Sequence, residues 1–150
     1  MKEIIRVKNS DSRFLELVKL LDAELAIYDG EEHDFYHQFN SVENLKHIII
    51  CILNNKAVAC GAMKKVSPST MEIKRMYTRL EFRKQGLAGG ILQELEKWAL
   101  EDGNDKCVLE TGKKQISAIA LYKNNGYSIT ENYGQYIGVQ NSLCFAKHLN

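Results

Sequence analysis

The sequence predicts one α/β domain: a mixed α+β arrangement in which a central mixed β-sheet is flanked by helices. Three segments carry apolar residues at helical spacing, the segments between them are rich in β-branched residues, and tight turns join the three strands in the middle of the chain. The length of 150 residues, with 45% apolar and 26% charged residues, is typical of a single globular domain. We therefore expect residues 1–150 to fold as one domain.

The first half of the chain is predicted to form a strand, a helix and an antiparallel meander. A strand at 3–7 precedes an amphipathic helix at 11–27, which Gly30 ends. Residues 31–39 mix polar and aromatic side chains, which fits either a short second helix or a loop. Turn signals at Asn54–Asn55 and around Pro68 separate three further strands, predicted at 47–53, 57–65 and 71–78.

The second half alternates helices and strands. A helix at 85–101 has an apolar stripe and is followed by a strand at 106–110. A third helix at 115–124 ends near Gly126, and the last strands are predicted at 127–131 and 142–147. This order places both parallel and antiparallel neighbours in one sheet, with helices on both of its faces.

Charge and cysteine content narrow the class of protein. The formal net charge is +1, so the broad positive field of a nucleic-acid-binding protein is missing. The N-terminus carries no apolar signal region and no apolar run could cross a bilayer, so we expect a cytoplasmic protein without a membrane partner. None of the four cysteines forms a C-x-x-C pair, which favours buried, reduced thiols over a zinc site.

A glycine-rich stretch opens the second long helix directly after a strand. It reads Arg83-Lys84-Gln85-Gly86-Leu87-Ala88-Gly89-Gly90. Free N–H groups, the positive end of the helix dipole and two cations make such a start a candidate pyrophosphate site. The patterns of P-loop and dinucleotide-binding proteins are missing from the sequence. On physical grounds alone, a tight turn that lets the helix pack on the sheet explains the glycines equally well.

Residues 71–99 resemble the acetyl-CoA-binding motif of the GNAT acetyltransferase superfamily, whose core pattern is Q/R-x-x-G-x-G/A. Here Arg83, Gly86 and Ala88 occupy its defined positions. A second family pattern, A-x-x-L-Y followed by G-F/Y, matches residues 118–122 and 126–127. The family often has Asn three residues before that alanine, where this chain has Gln115.

The resemblance implies acetyl-CoA as the co-substrate and no metal. In the family, the strand before the glycine-rich loop binds the pantetheine arm through its backbone, and the loop amides bind the pyrophosphate. A bulge near Met76 would separate that strand from 106–110 and leave room for the thioester between them. The cofactor-binding residues implied in this chain are Met76, Tyr77, Thr78, Arg83, Lys84, Gln85, Gly86, Leu87, Ala88, Gly89, Gln115 and Tyr122.

Two residues are implied as catalytic groups. Tyr122 matches the family tyrosine that protonates the departing thiolate, although it could simply pack beneath the cofactor. Glu72 stands where some family members carry a glutamate base, although it could be a charged residue on a solvated strand face. Glu110 is a second candidate base, and a water relay is a third way to deprotonate the amine.

The acceptor site is implied at residues 28–39 and 133–138. These segments contain the aromatic residues Tyr28, Phe35, Tyr36, Phe39, Tyr133 and Tyr136. The acidic residues Asp29, Glu31, Glu32 and Asp34 would attract a cationic amine, unless they form only a solvated face. His33 and His37 are four residues apart, but no third metal ligand accompanies them, so we expect ordinary surface histidines.

The sequence therefore predicts an N-acetyltransferase acting on a primary amine of a small molecule or a protein, with a homodimer as one further implication. Two alternatives stay open. One is an acyltransferase that uses another acyl-CoA, and the other is a non-catalytic acyl-CoA-binding module.

Overall fold

The computed structural model describes residues 1–37 and 41–150, whose seven strands form one mixed sheet in the order β1-β2-β3-β4-β5-β7-β6. The predicted mixed α/β fold is confirmed, and each element begins and ends within two residues of its prediction. The strands are β1 Lys2–Val7, β2 His47–Leu53, β3 Lys56–Ser67, β4 Thr70–Thr78, β5 Lys106–Gly112, β6 Ser128–Thr130 and β7 Ser142–His148. The helices are α1 Ser12–Asp29, α2 His33–His37, α3 Leu87–Glu101 and α4 Ile116–Asn124.

Local signals in the sequence explain most element boundaries. The Asp11 carboxylate caps α1 by accepting hydrogen bonds from the backbone N–H groups of Arg13 and Phe14. Gly30 ends α1 with a φ of 54°, and a 3₁₀ turn over Gly30–Glu32 leads into α2. The open question about residues 31–39 is therefore answered by a turn and a short helix. Phe39 lies outside the described residues.

The two faces of the sheet are covered by different helices. Along β2, Ile48 and Ile50 pack with Phe14 and Leu17 of α1, whereas Ile49 packs on the opposite face with α3 and Tyr122 of α4. This alternation follows from the two-residue period of a strand. All four cysteines are buried free thiols, as predicted.

Close packing of α3 on the sheet depends on Gly61 of β3. A Cβ atom at this position would lie 2.5 Å from Met76 Sδ and 2.7 Å from Ile91 Cγ2. Because these distances are well below van der Waals contact, any larger residue would push α3 or β4 away. Gly61 thus fixes the helix against the strand that borders the site.

The sheet opens beside β4. β4 pairs with β5 in parallel only from Thr70 to Glu72, and the two strands then diverge. On its other side, the pairing of β4 with β3 shifts register between Cys60 and Ala62, and Arg75 has a φ of 56°. The bulge predicted near Met76 is therefore confirmed, and it leaves a gap between the C-terminal parts of β4 and β5.

Within the described ranges, no helix combines the length and the apolar character that crossing a bilayer requires.

Candidate active site

A cleft of about 480 Å³ lies between the end of β4, the start of α3 and α4. Its volume is within the range of small-molecule and cofactor sites. Of the twelve residues predicted to bind a cofactor, only Gln85 does not line it. The lining residues from that prediction are Met76, Tyr77, Thr78, Arg83, Lys84, Gly86, Leu87, Ala88, Gly89, Gln115 and Tyr122.

The start of α3 can receive an anion. Gly86 is the N-cap residue with a φ of 78°, and no side chain caps the helix. The first N–H groups of α3 therefore have no partner within the helix, and the residues that carry them line the cleft. A Cβ atom on Gly86 would meet no atom within 4 Å, so the space beside this residue is open.

The two cations of the loop differ in their surroundings. The Arg83 guanidinium donates hydrogen bonds to Glu24 Oε1 and to the Thr78 carbonyl, both at 2.8 Å. Lys84 is exposed, has a φ of 65°, and takes part in none of the ion pairs among residues 1–37 and 41–150. The ammonium group of Lys84 is thus available to an anion, whereas Arg83 ties the loop to α1.

A second, smaller cavity of about 120 Å³ occupies the gap between β4 and β5. The cavity and the cleft share five lining residues, namely Leu21, Met76, Gln115, Ala118 and Tyr122. Two compartments therefore meet at one buried phenol. A group bound in the cleft and a group bound in the cavity would therefore both lie next to these residues, Tyr122 among them.

Tyr122 packs against two aromatic rings at the junction. Its ring lies 5.9 Å from that of Tyr127 and 6.0 Å from that of Phe145, measured between centroids. Burial raises the pKa of the Tyr122 hydroxyl well above its usual value, and the nearby Glu110 carboxylate adds to this effect. The phenol is therefore protonated at neutral pH and can donate a hydrogen bond.

Glu72 lines the cavity but is already engaged on both carboxylate oxygens. Only 3% of the residue is exposed. Its Oε1 lies 3.4 Å from Lys74 Nζ, and its Oε2 accepts a hydrogen bond of 2.5 Å from the Tyr133 hydroxyl. Glu72 is thus a paired carboxylate inside the protein and not, as the alternative had it, a residue on a solvated face.

Glu110 lines the same cavity in a different environment. It accepts one hydrogen bond of 2.6 Å from the Ser142 hydroxyl, and Ser142 Oγ lies 2.9 Å from the Tyr36 hydroxyl. Burial raises the pKa of Glu110 to about 7, and the Asp29 carboxylate contributes to the increase, against the opposing hydrogen bond from Ser142. Glu110 is therefore close to half ionised at neutral pH and can both accept and release a proton.

The residues implied for the acceptor site divide into three groups. Asp29, Tyr36 and Tyr136 line the smaller cavity, and Phe35 and Tyr133 pack beside these tyrosines. Tyr28 lines the larger cleft instead. The exposed residues that line neither compartment are Glu31, Glu32 and Asp34.

The sequence did not reveal Lys74 and Ser142 as site residues. Ser142 is 32 positions from Glu110, and only the antiparallel pairing of β5 with β7 brings it near. No local pattern in the sequence encodes that pairing. The alternation of charges along Glu72-Ile73-Lys74 was the one available hint for Lys74.

The imidazole rings of His33 and His37 are 5.3 Å apart. In the described part of the chain, no group of three or more His, Cys, Asp or Glu side chains is arranged to hold a metal ion.

Comparison with known proteins identifies the family. Residues 14–127 match the model of the acetyltransferase (GNAT) family. The chain belongs to this family. It is 30% identical over 97 residues to an uncharacterized N-acetyltransferase of Bacillus subtilis, YsnE, a match that spans 63% of this chain and 64% of that protein, slightly under two thirds of its length.

Solved structures agree with the GNAT fold. A crystal structure described as a proposed acyl-CoA N-acyltransferase of Klebsiella pneumoniae superposes with a TM-score of 0.84 at 27% identity and covers 100% of this chain and 99% of that one. A GNAT family acetyltransferase of Elizabethkingia anophelis, with acetyl-CoA bound, has a TM-score of 0.71 at 19% identity over 99% and 98% of the two chains. This GNAT chain therefore has the acyl-CoA N-acyltransferase fold.

Proposed function

We propose that this GNAT protein transfers the acetyl group of acetyl-CoA to a primary amine by direct attack. The observation that carries the proposal is the meeting of two compartments at Tyr122, one with an anion-binding helix start and one lined by carboxylates. Acetyl-CoA and an amine differ in the same way, since one carries phosphates and the other is cationic. Each substrate thus carries the charge opposite to that of one compartment.

The residues of the cleft fit acetyl-CoA. The open amides at Gly86–Gly89 and the unpaired Lys84 would bind the pyrophosphate, and the backbone of Met76–Thr78 would bind the pantetheine arm. β4 is free for this role because its pairing with β5 stops at Glu72. Gln115 and Tyr122 line both compartments, which puts them beside the thioester in this proposal.

We assign the role of general base to Glu110 in preference to Glu72. A base must have a free lone pair and a pKa near the working pH. Glu110 meets the second requirement with a pKa of about 7 and uses one hydrogen bond, from Ser142. Glu72 is less suitable because Lys74 and Tyr133 already contact its two oxygens.

Tyr122 is the proposed general acid. As the amine nitrogen bonds to the acetyl carbon and the carbon–sulfur bond breaks, the amine proton passes to Glu110, directly or through water. The thiolate takes the phenolic proton of Tyr122, and proton transfer from Glu110 through solvent restores the phenol. Backbone N–H groups of β4 beyond Glu72 are available to stabilise the oxyanion. We also propose a cytoplasmic location, since four buried free thiols fit a reducing compartment.

A titration with acetyl-CoA, CoA and desulfo-CoA, followed by calorimetry, tests the donor. We expect micromolar binding of acetyl-CoA, and CoA release when amines are added. Gly86→Glu should weaken acetyl-CoA binding at least 100-fold, because its carboxylate would meet the pyrophosphate at the start of α3. Gly86→Ala is the matched control, since it carries the same backbone strain at a φ of 78° without the charge.

Absence of acetyl-CoA binding at millimolar concentration would contradict the proposed enzymatic activity and favour an interaction module. Equal binding by Gly86→Glu and Gly86→Ala would instead contradict only the placement of the pyrophosphate.

A further inference from the structure

Asp29 is a buried carboxylate in the smaller cavity. It is the last residue of α1, and 9% of it is exposed. Of the four acidic residues between 29 and 34, it alone lines the cavity, while the other three are exposed. Asp29 therefore stands apart from the solvated acidic surface next to it.

Among residues 1–37 and 41–150, no group donates a hydrogen bond to the Asp29 carboxylate. Its nearest cationic candidate is His33, whose Nδ1 lies 4.0 Å from Asp29 Oδ2, too far for a hydrogen bond. That His33 nitrogen is itself buried without a hydrogen-bond partner. Burying a carboxylate without a donor is costly, so this arrangement favours a bound cation that supplies the donors.

The position of Asp29 in the helix strengthens this preference. The C-terminal end of a helix carries partial negative charge, which basic residues often balance. The last turn of α1 contains no basic residue. The negative end of the helix and the Asp29 carboxylate thus both attract a cation in the cavity.

The other charges of the cavity do not balance Asp29. Lys74 Nζ pairs with Glu72 at 3.4 Å, and the Arg75 guanidinium pairs with Asp22 at 2.5 Å. Asp29 and Glu110 are the remaining carboxylates, and each lacks a cation within hydrogen-bonding distance in the described structure. Glu110 takes the proton of the reacting amine in the proposed mechanism. Asp29 is therefore free to bind a second positive group.

We propose that Asp29 binds the second, non-reacting ammonium group of the acceptor, and that the acceptor is a short aliphatic diamine. This inference rests on the proposed function. Glu110 removes the proton from one nitrogen, while the other nitrogen stays protonated and donates hydrogen bonds to Asp29. The cavity volume of about 120 Å³ suits a small acceptor. An amino acid fits less well because both cations that line the cavity already pair with carboxylates of the chain.

A CoA-release assay with three acceptors of matched length tests the inference: 1,4-diaminobutane, butylamine and 4-aminobutanoate. For the wild-type protein we expect kcat/KM for the diamine to exceed that for butylamine at least 50-fold. Asp29→Asn should lower the diamine value, mainly through KM, at least 20-fold more than it lowers the butylamine value, so that the preference for the diamine is lost. Asp34→Asn is the control, since Asp34 is exposed and lines neither compartment.

A second measurement does not depend on turnover. Calorimetric binding of 1,4-diaminobutane to the complex with CoA should weaken at least tenfold in Asp29→Asn and be unchanged in Asp34→Asn. Equal losses for diamine and butylamine in Asp29→Asn would overturn the inference, because they would indicate a structural role. Turnover of butylamine or 4-aminobutanoate as fast as the diamine would overturn it as well, while leaving the proposed acetyl transfer intact. Failure to bind acetyl-CoA would count against the proposed function itself.

Discussion

The two compartments of the site are built in different ways. The cleft is formed largely by one continuous segment, from β4 through the glycine-rich loop into α3, and the groups proposed to bind its anion are backbone amides. The smaller cavity is formed by side chains from α1, α2, β4, β5, α4 and the turn at Gly134–Tyr136. In the proposed function, backbone groups at a helix start bind the phosphates of the cofactor, whereas side chains from separate elements bind the acceptor. The cleft therefore depends on the path of one segment, and the cavity on how distant elements pack.

The largest effect that tests this contrast is expected in the cavity. Glu110→Gln should lower kcat/KM at least 100-fold, because the amide cannot accept the amine proton. Below pH 7 the Glu110 carboxyl is protonated and cannot act as a base, so wild-type activity should rise from pH 6 to pH 8. Both activities are measured with one acceptor across that range and divided. Because the amine ionises equally in the two assays, its own pH dependence cancels in this ratio.

Glu72→Gln is the matched control for this experiment. It removes a buried charge next to Lys74 and Tyr133, so we expect a lower melting temperature but the same rise of activity with pH. If Glu72→Gln abolished the pH-dependent step and Glu110→Gln kept it, the two roles would have to be exchanged.

The wild-type protein and Glu110→Gln should also differ in how their stability depends on pH. Because the folded pKa of Glu110 is raised to about 7, the folded state binds more protons than the unfolded state between about pH 4.5 and pH 7. The free energy of unfolding contributed by Glu110 therefore falls as pH rises through this window, by about 3 kcal/mol. Urea unfolding of wild type and Glu110→Gln at pH 4.5 and pH 8 measures this difference, and an equal change in both proteins would contradict the raised pKa.

The sequence predicts the cleft more completely than the smaller cavity. It gave the element order, the bulge near Met76 and all but one of the residues that were expected to line the cleft, because these depend on local periodicity and one contiguous motif. It could not pair Glu110 with Ser142, or separate Asp29 from the exposed acids beside it, because both depend on how distant elements pack. It also treated Arg83 and Lys84 alike, since the ion pair of Arg83 with Glu24 joins residues 59 positions apart.

A moderate effect is expected at the junction of the compartments. Tyr122→Phe should lower kcat about 30-fold, because the thiolate loses its proton donor while the ring still packs on Tyr127 and Phe145. The affinity for acetyl-CoA, measured by calorimetry, should stay within twofold. Unchanged turnover would remove Tyr122 from the role of acid and leave it as a packing residue of the cleft wall.

The smallest effect separates the two cations of the loop. Lys84→Gln should weaken acetyl-CoA binding about fivefold and reduce its dependence on salt, since an unpaired surface cation next to the helix start is lost. Arg83→Gln should change binding by no more than about twofold, because the guanidinium already bonds to Glu24 and to the Thr78 carbonyl. Calorimetry at two salt concentrations measures both. A larger loss for Arg83→Gln would mean that Arg83 leaves Glu24 and contacts the phosphates when acetyl-CoA binds. Binding in the cleft would then also depend on the contact between Arg83 and α1, which are far apart in the sequence.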